Sequence, residues 1–154
     1  MNEFDSIKLA EHIAYLCKKH RYSYNNTKIQ KLMYICYGTF LAKKSILIIN
    51  EKPQILHYGP IFESALRYIQ GFKNLDNLPK NQSENLDKDT KNMLNDIVKK
   101  IGLYSSTKLV EWSHRKNKPW SIALEVGGLE IGNFIPDSFT NSAFIIEPYT
   151  DIKL

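Results

Sequence analysis

Apolar residues recur at every third or fourth position in the first part of the chain, which is the spacing of amphipathic helices. This spacing predicts one helix over residues 6–20 and a second over residues 27–43. Tyr34 and Tyr37 flank the apolar face of the second helix, and we expect their rings to cover the core while their hydroxyls reach water. The residues that form this face are Ile29, Leu32, Met33, Cys36, Phe40 and Leu41.

The pattern changes to β-branched and aromatic residues between positions 46 and 58, which predicts a short β-hairpin near residues 46–58. Its strands would be 46–49 and 55–58, joined by a polar turn that contains Pro53. Gly59 and Pro60 would then end the hairpin and start a helix, because proline suits the first helical position.

Residues 72–89 are rich in Asn, Asp, Lys and Ser and hold few large apolar groups, so we expect a flexible, solvent-exposed loop inside the domain. Helical spacing returns after this loop. For residues 135–138 a last helical turn is predicted, whereas 143–146 fit either a strand or an extended apolar tail. The other helices predicted after Pro60 cover approximately residues 60–70, 88–101, 106–114 and 119–124.

These elements predict a mainly α fold, a compact single-domain bundle of about five to seven helices with one small hairpin, covering residues 1–154. Hydrophobic residues make up 43% of the chain and charged residues 24%, which excludes collagen-like and wholly disordered proteins. The longest purely apolar run, 46–49, is far shorter than the roughly 20 residues that span a bilayer. The N-terminus shows no basic-then-apolar signal. We therefore expect a cytoplasmic protein without membrane contact.

The chain carries a net charge of +5, from 21 basic and 16 acidic residues. Basic residues cluster at 18–21 and again at Lys28 and Lys31, with Tyr22 and Tyr24 between them, an arrangement that a nucleic-acid-binding surface would use. The alternative is that the many Lys, Ile and Asn residues reflect an AT-rich genome and that most lysines simply solvate helix faces. The sequence leaves both interpretations open.

The residues do not form a recognisable catalytic or metal-binding pattern. Cys17 and His20 are three apart, but no second ligand pair follows at zinc-finger spacing. A Cys–His nucleophile would need Cys17 or Cys36 beside His57 or His114, yet both cysteines fall on core-facing helix positions, where a thiol behaves as a small hydrophobic group. The sequence therefore predicts no enzyme activity, no metal and no cofactor.

Two short stretches combine aromatic residues with turn signals. The first, residues 57–61, is either a recognition edge or a simple helix start with Tyr58 packed beside it. In the second, Trp112 and Trp120 bracket a basic turn, so it is either a protein-binding surface or part of the core.

Four stretches in a fixed order resemble the Panacea, or SocA-like, antitoxin family, which is also found in phage-associated proteins. Residues 28–38 are similar to the aromatic second helix of the family, with its K-L-hydrophobic-Y core. Residues 54–68, centred on Tyr-Gly-Pro, resemble its turn and the helix after it. Residues 104–114 resemble its Leu-x-x-x-[Ser/Thr]-His segment, and 119–123 its Pro-Trp-x-x-Ala element. The resemblance covers approximately residues 6–126.

The chain departs from the family pattern in three places. Leu56-His57 stands where an aromatic residue is common, and the basic stretch 115–118 replaces a frequent acidic residue. The segment after Pro136 reads as less helical than the usual ending. These differences bear on the identity of the partner rather than on the fold.

The resemblance implies an antitoxin that binds and neutralises a cognate toxin encoded beside it. Some relatives are thought to act as proteolytic adaptors that deliver the toxin to a bacterial protease. The alternatives are a DNA-binding or phage-associated regulatory protein and an unrecognised enzyme. The candidate partner-binding residues are Tyr58, Arg67, Trp112, His114, Arg115 and Trp120.

Overall fold

Seven helices and one short hairpin make up the part of the chain that the computed structural model describes, residues 4–147 and 149–152. This confirms the expected mainly helical fold with a small hairpin. The elements are α1 (Ser6–Lys19), α2 (Asn26–Lys44), β1 (Gln54–Leu56), β2 (Gly59–Ile61), α3 (Glu63–Gln70), α4 (Lys88–Ile101), α5 (Ser106–Ser113), α6 (Pro119–Glu125) and α7 (Asp137–Ile146).

Polar side chains cap four of the helices and fix where each begins. The side-chain oxygen of each cap accepts a hydrogen bond from the backbone N–H three residues later, which satisfies one donor of the first turn. The four caps are Asp5, Asn25, Asp87 and Ser105.

Helix α2 is the centre of the fold, because residues 28–40 are buried on every face. It contacts α1, α3, α4, α5, α7 and β2. The sequence predicted a helix with one buried face and two tyrosine hydroxyls in water, and that expectation is wrong. The Tyr34 hydroxyl lies 2.8 Å from Oγ1 of Thr140, and the Tyr37 hydroxyl donates to Asp137 Oδ1 at 2.7 Å.

The hairpin lies further along the chain than the sequence predicted. Strands β1 and β2 pair antiparallel, with Gln54 opposite Ile61 and a turn at residues 57–58. Pro60 therefore lies in a strand rather than at a helix start, and α3 begins at Glu63. The segment 132–135 also hydrogen-bonds to the backbone of residues 53–55, which fixes the position of β1.

Residues 72–87 form two 3-10 turns, Leu75–Asn77 and Ser83–Asn85, and run across α1. Leu78 is fully buried. The carbonyl of Glu11 accepts from the backbone N–H of Lys80 at 3.2 Å, and its carboxylate accepts from the Gln82 side chain at 3.0 Å. These contacts define the path of the connection.

Helix α7 includes residues 143–146, so both the strand and the extended tail predicted for this stretch are wrong, whereas the helical turn predicted at residues 135–138 is confirmed by the start of α7 at Asp137. α7 packs on α2, where Phe144 is 3% exposed. Gly38 of α2 faces this ring, and a Cβ atom at that position would overlap it. Glycine therefore allows the two helices to approach closely.

Candidate functional site

The four sequence stretches described above converge on the turn between β1 and β2. From α2, the Gln30 side-chain oxygen accepts the backbone N–H of Phe62 at 2.8 Å. The Lys31 ammonium donates to the carbonyl of Pro60 at 3.0 Å. Both side chains are almost completely buried, so the central helix holds the second strand from beneath.

Lys31 is an unusual group to find at the centre of a domain. Its side chain is 1% exposed. Burial penalises the charged ammonium and lowers the pKa of Lys31 to about 7. One of the two interpretations of the sequence placed this residue in a basic surface with Lys28. Neither lysine can belong to such a surface, because Lys28 is also buried and donates to the carbonyl of Ser23 at 2.7 Å.

The tyrosines of the expected basic surface are also tied to the protein. The Tyr22 hydroxyl donates to the carbonyl of Lys99 at 2.7 Å, and that of Tyr24 to the carbonyl of Leu75 at 2.9 Å. A nucleic-acid-binding surface would have used these residues. The structure buries two of the lysines and hydrogen-bonds both tyrosine hydroxyls within the protein.

Two aromatic rings support the first strand of the hairpin from α5 and α6. The Trp120 indole N–H donates to the carbonyl of Leu56 at 2.7 Å. The His114 ring stacks on Trp120 with 3.9 Å between centroids. The His57 backbone hydrogen-bonds to the His114 ring. Burial and the nearby Lys31 charge lower the pKa of His114, which favours the neutral ring. Its Nε2 is buried without a hydrogen-bond partner among the described residues.

Gly59 is the point at which these supports meet. Its φ angle is +102°, in the region that favours glycine. A Cβ atom there would lie 2.6 Å from Ser113 Oγ and 2.7 Å from Lys31 Cε. The Tyr-Gly-Pro turn thus needs glycine both for its backbone conformation and for the space that α2 and α5 leave.

Tyr58 projects from the turn and is 68% exposed. A cavity of about 300 Å³ opens beside it. We call Tyr58 and this cavity the hairpin-tip surface. Its other lining residues are Thr27, Ser106, Thr107, Val110 and Glu111. An exposed aromatic ring next to an apolar and hydroxyl-rich hollow is suited to holding a side chain of another protein.

The six predicted contact residues do not form one surface. Tyr58 lies at the tip, whereas His114 and Trp120 support the turn from beneath. Arg67 is exposed on α3 and pairs with Glu63 at 2.7 Å. Among the described residues, no hydrogen bond or ion pair joins Arg67 to the other five.

Trp112 and Arg115 belong to a separate cluster around Asp151. The Trp112 ring is 1% exposed, so it is part of the core and does not present a contact surface. Its N–H donates to Asp151 Oδ1 at 2.8 Å, Lys118 pairs with Oδ2 at 2.7 Å, and Arg115 donates to the Asp151 carbonyl at 2.9 Å. Burial opposes ionisation of Asp151, but the Lys118 and Trp112 hydrogen bonds outweigh it and lower the pKa of the carboxyl.

The chemistry of the cysteines agrees with core packing, as predicted. Cys17 and Cys36 are both fully buried. Burial raises the pKa of Cys17 to about 11 and raises that of Cys36 as well, so neither thiol favours the nucleophilic thiolate. His57 and His114 do not line the cavity beside Tyr58.

Among the described residues, no group of three or more His, Cys, Asp or Glu side chains is placed to hold a metal ion. No helix in this part of the chain combines the length and apolar character needed to cross a membrane.

Sequence reasoning missed most of the hairpin-tip surface, because five of its residues lie on two helices far from Tyr58 in the sequence. One signal was available. Val110 follows Leu109 and precedes Trp112, so it lies off the face that these two residues bury. An apolar residue on the outer side of a helix indicates a surface that can contact another molecule.

Comparison with known protein families gives a match over the central part of the chain. The model of a family described as Antitoxin SocA-like, Panacea domain, matches residues 29–121, which is more than half of the chain. The match includes both hairpin strands and the residues that hold them, Gln30, Lys31, Ser113, His114 and Trp120. No curated protein and no solved structure matches the chain.

Proposed function

Because this chain belongs to the SocA-like antitoxin family of Panacea-domain proteins, we propose that it binds and neutralises a cognate protein toxin through the hairpin-tip surface. The proposed role is binding rather than catalysis. The partner would be the product of a gene encoded beside this one, as the family resemblance implies.

One observation carries this proposal, which is the exposed Tyr58 on a turn that buried side chains hold in place. Gln30, Lys31 and Trp120 each hydrogen-bond to the backbone of the hairpin within 3.0 Å. A ring presented on a fixed backbone loses little conformational freedom when it binds, and such rings are frequent hot spots. These supports hold the backbone that carries the exposed ring.

The charge of the chain fits an acidic partner. The net charge is +5, and complementary charge speeds the encounter of two proteins more than it strengthens the final complex. The close contact itself would come from Tyr58 and the hollow next to Val110.

Growth rescue tests the proposal. Co-expression of the wild-type chain with the neighbouring gene product should restore growth, and Tyr58→Ala should weaken rescue, because loss of a hot-spot ring costs about 2 kcal/mol or more of binding energy. Phe134→Ala is the matched control, since Phe134 is 57% exposed and lies outside the hairpin-tip surface. Equal rescue by Tyr58→Ala and the wild type, at matched protein levels, would contradict the proposed surface.

The same experiment separates blocking from delivery to a bacterial protease. A blocking antitoxin leaves the amount of toxin unchanged, whereas a proteolytic adaptor lowers it while the protease is active. Immunoblots of the toxin during rescue distinguish the two modes.

A further inference from the structure

A second cavity, separate from the hairpin-tip surface, opens between α1, α4 and the turn at Ser83. Its volume is about 240 Å³. It is lined by Leu16 and by the polar residues His12, Tyr15, Lys19, Ser83, Lys91, Asn92 and Asn95. No carboxylate belongs to this lining.

His12 supplies the most informative group in the lining. Its side chain is 1% exposed, and its Nδ1 accepts the backbone N–H of Gln82 at 3.0 Å. Burial and the charge of Lys19 lower the pKa of His12 to about 4, so the ring is neutral at physiological pH. A neutral ring that accepts at Nδ1 carries its proton on Nε2.

This Nε2–H donor is buried and has no hydrogen-bond partner among the described residues. An unpaired buried donor costs roughly 1–3 kcal/mol, so its presence in a folded protein needs an explanation. The donor belongs to a residue of the cavity wall. It is closed to solvent as the wall stands, so an acceptor bound in the cavity would reach it after a small movement of the wall.

Two further kinds of donor belong to the wall, amide and ammonium groups, whereas the Ser83 hydroxyl and backbone N–H both donate to Asn81 Oδ1. Asn95 Oδ1 accepts from His20 Nε2 at 3.0 Å, which leaves the Asn95 amide N–H groups available. Lys19 and Lys91 are exposed, and neither forms an ion pair with another described residue. The wall therefore presents two positive charges and several neutral donors, with no competing acid.

We propose that this cavity binds a phosphate group, either as free phosphate or as the phosphate monoester of a small molecule. A phosphoryl dianion carries close to two negative charges and three oxygen acceptors, and so it matches two ammonium groups together with donors that come from different elements. A carboxylate would satisfy fewer of these donors. The hairpin-tip surface shares no residue with the cavity, so the proposal does not depend on the proposed function.

Titration of the isotope-labelled full chain by NMR tests this site. Inorganic phosphate and glycerol 3-phosphate are the two probes, and sodium chloride at the same ionic strength is the reference. We expect saturable shifts of the His12 ring and of the Ser83 and Asn95 signals. A monoester that binds more tightly than free phosphate would identify an esterified ligand, and the reverse order would identify phosphate itself.

Two pairs of variants show whether the binding belongs to the cavity. Lys19→Ala and Lys91→Ala should each weaken phosphate binding about tenfold, because each removes one charge-assisted hydrogen bond. The controls Lys18→Ala and Lys99→Ala remove the same charge from exposed neighbours outside the lining and should bind like the wild type. Equal weakening by all four variants, or a His12 ring that does not respond to phosphate, would overturn the proposal.

Discussion

At the scale of the residue, Lys31 shows best how this chain differs from an ordinary helical domain. A lysine in the middle of a surface helix is normally solvated, but here it lies under the hairpin with its ammonium on the Pro60 carbonyl. The hydrogen bond offsets only part of the cost of burying a charge, and so the pKa of Lys31 is lowered to about 7. The Lys31 ammonium, which supports the turn, therefore titrates near neutral pH in the folded protein.

Lys31→Met should change how stability depends on pH. Between pH 7 and 10.5, the unfolded chain binds a proton at Lys31 that the folded chain releases, so the free energy of unfolding of the wild type rises with pH. The rise approaches about 1.4 kcal/mol per pH unit and is absent below pH 7, where both states are protonated.

Urea unfolding at pH 7, 8 and 9 measures this effect. The wild type should gain stability relative to Lys31→Met across the series. The control Lys43→Met changes an exposed lysine of the same helix and should follow the wild type. If the wild-type and Lys31→Met curves run parallel with pH, Lys31 is not the titrating group.

At the scale of the element, apolar periodicity predicted most of the helices well, because it is a local signal. The predicted position of the hairpin differs from the observed one because strand pairing depends on groups that are distant in the sequence. Residues 46–49 look like a strand by composition, but the backbone that pairs is 54–56, which also bonds to segment 132–135. The helix at 143–146 was missed because a short apolar run cannot be told from a strand by periodicity alone, and packing against α2 favours the helix.

Gly59→Ala should destabilise the protein more than Gly132→Ala. Both glycines have a φ near +100°, so alanine pays about 1–2 kcal/mol of backbone strain at each position. Only at Gly59 would the new methyl group also press on Ser113 and Lys31, at a further cost of about 1–3 kcal/mol.

Thermal and urea unfolding of both variants measure the difference. Because nothing lies within 4 Å of a Cβ at Gly132, that variant isolates the backbone contribution. Equal losses of stability in the two variants would show that the turn is not held tightly against α2 and α5.

At the scale of the whole molecule, the candidate site was only partly predictable. The sequence singled out Tyr58 as a candidate contact residue and the stretches around it, because turn residues and the order of motifs are local features of the sequence. It did not separate exposed from buried aromatics, and so it grouped Trp112 with Tyr58 although Trp112 is in the core. The partner of Trp112, Asp151, lies outside the family match and carries no local signal.

The measurement that tests the central claim most directly is calorimetric titration of the purified chain with the purified product of the neighbouring gene. We predict saturable binding by the wild type and by Phe134→Ala, and binding weakened by about 30-fold in Tyr58→Ala, which corresponds to the loss of one hot-spot side chain. Absence of binding by the wild type, or the same affinity in Tyr58→Ala at unchanged stability, would contradict the claim that this chain acts by docking its hairpin tip onto a toxin.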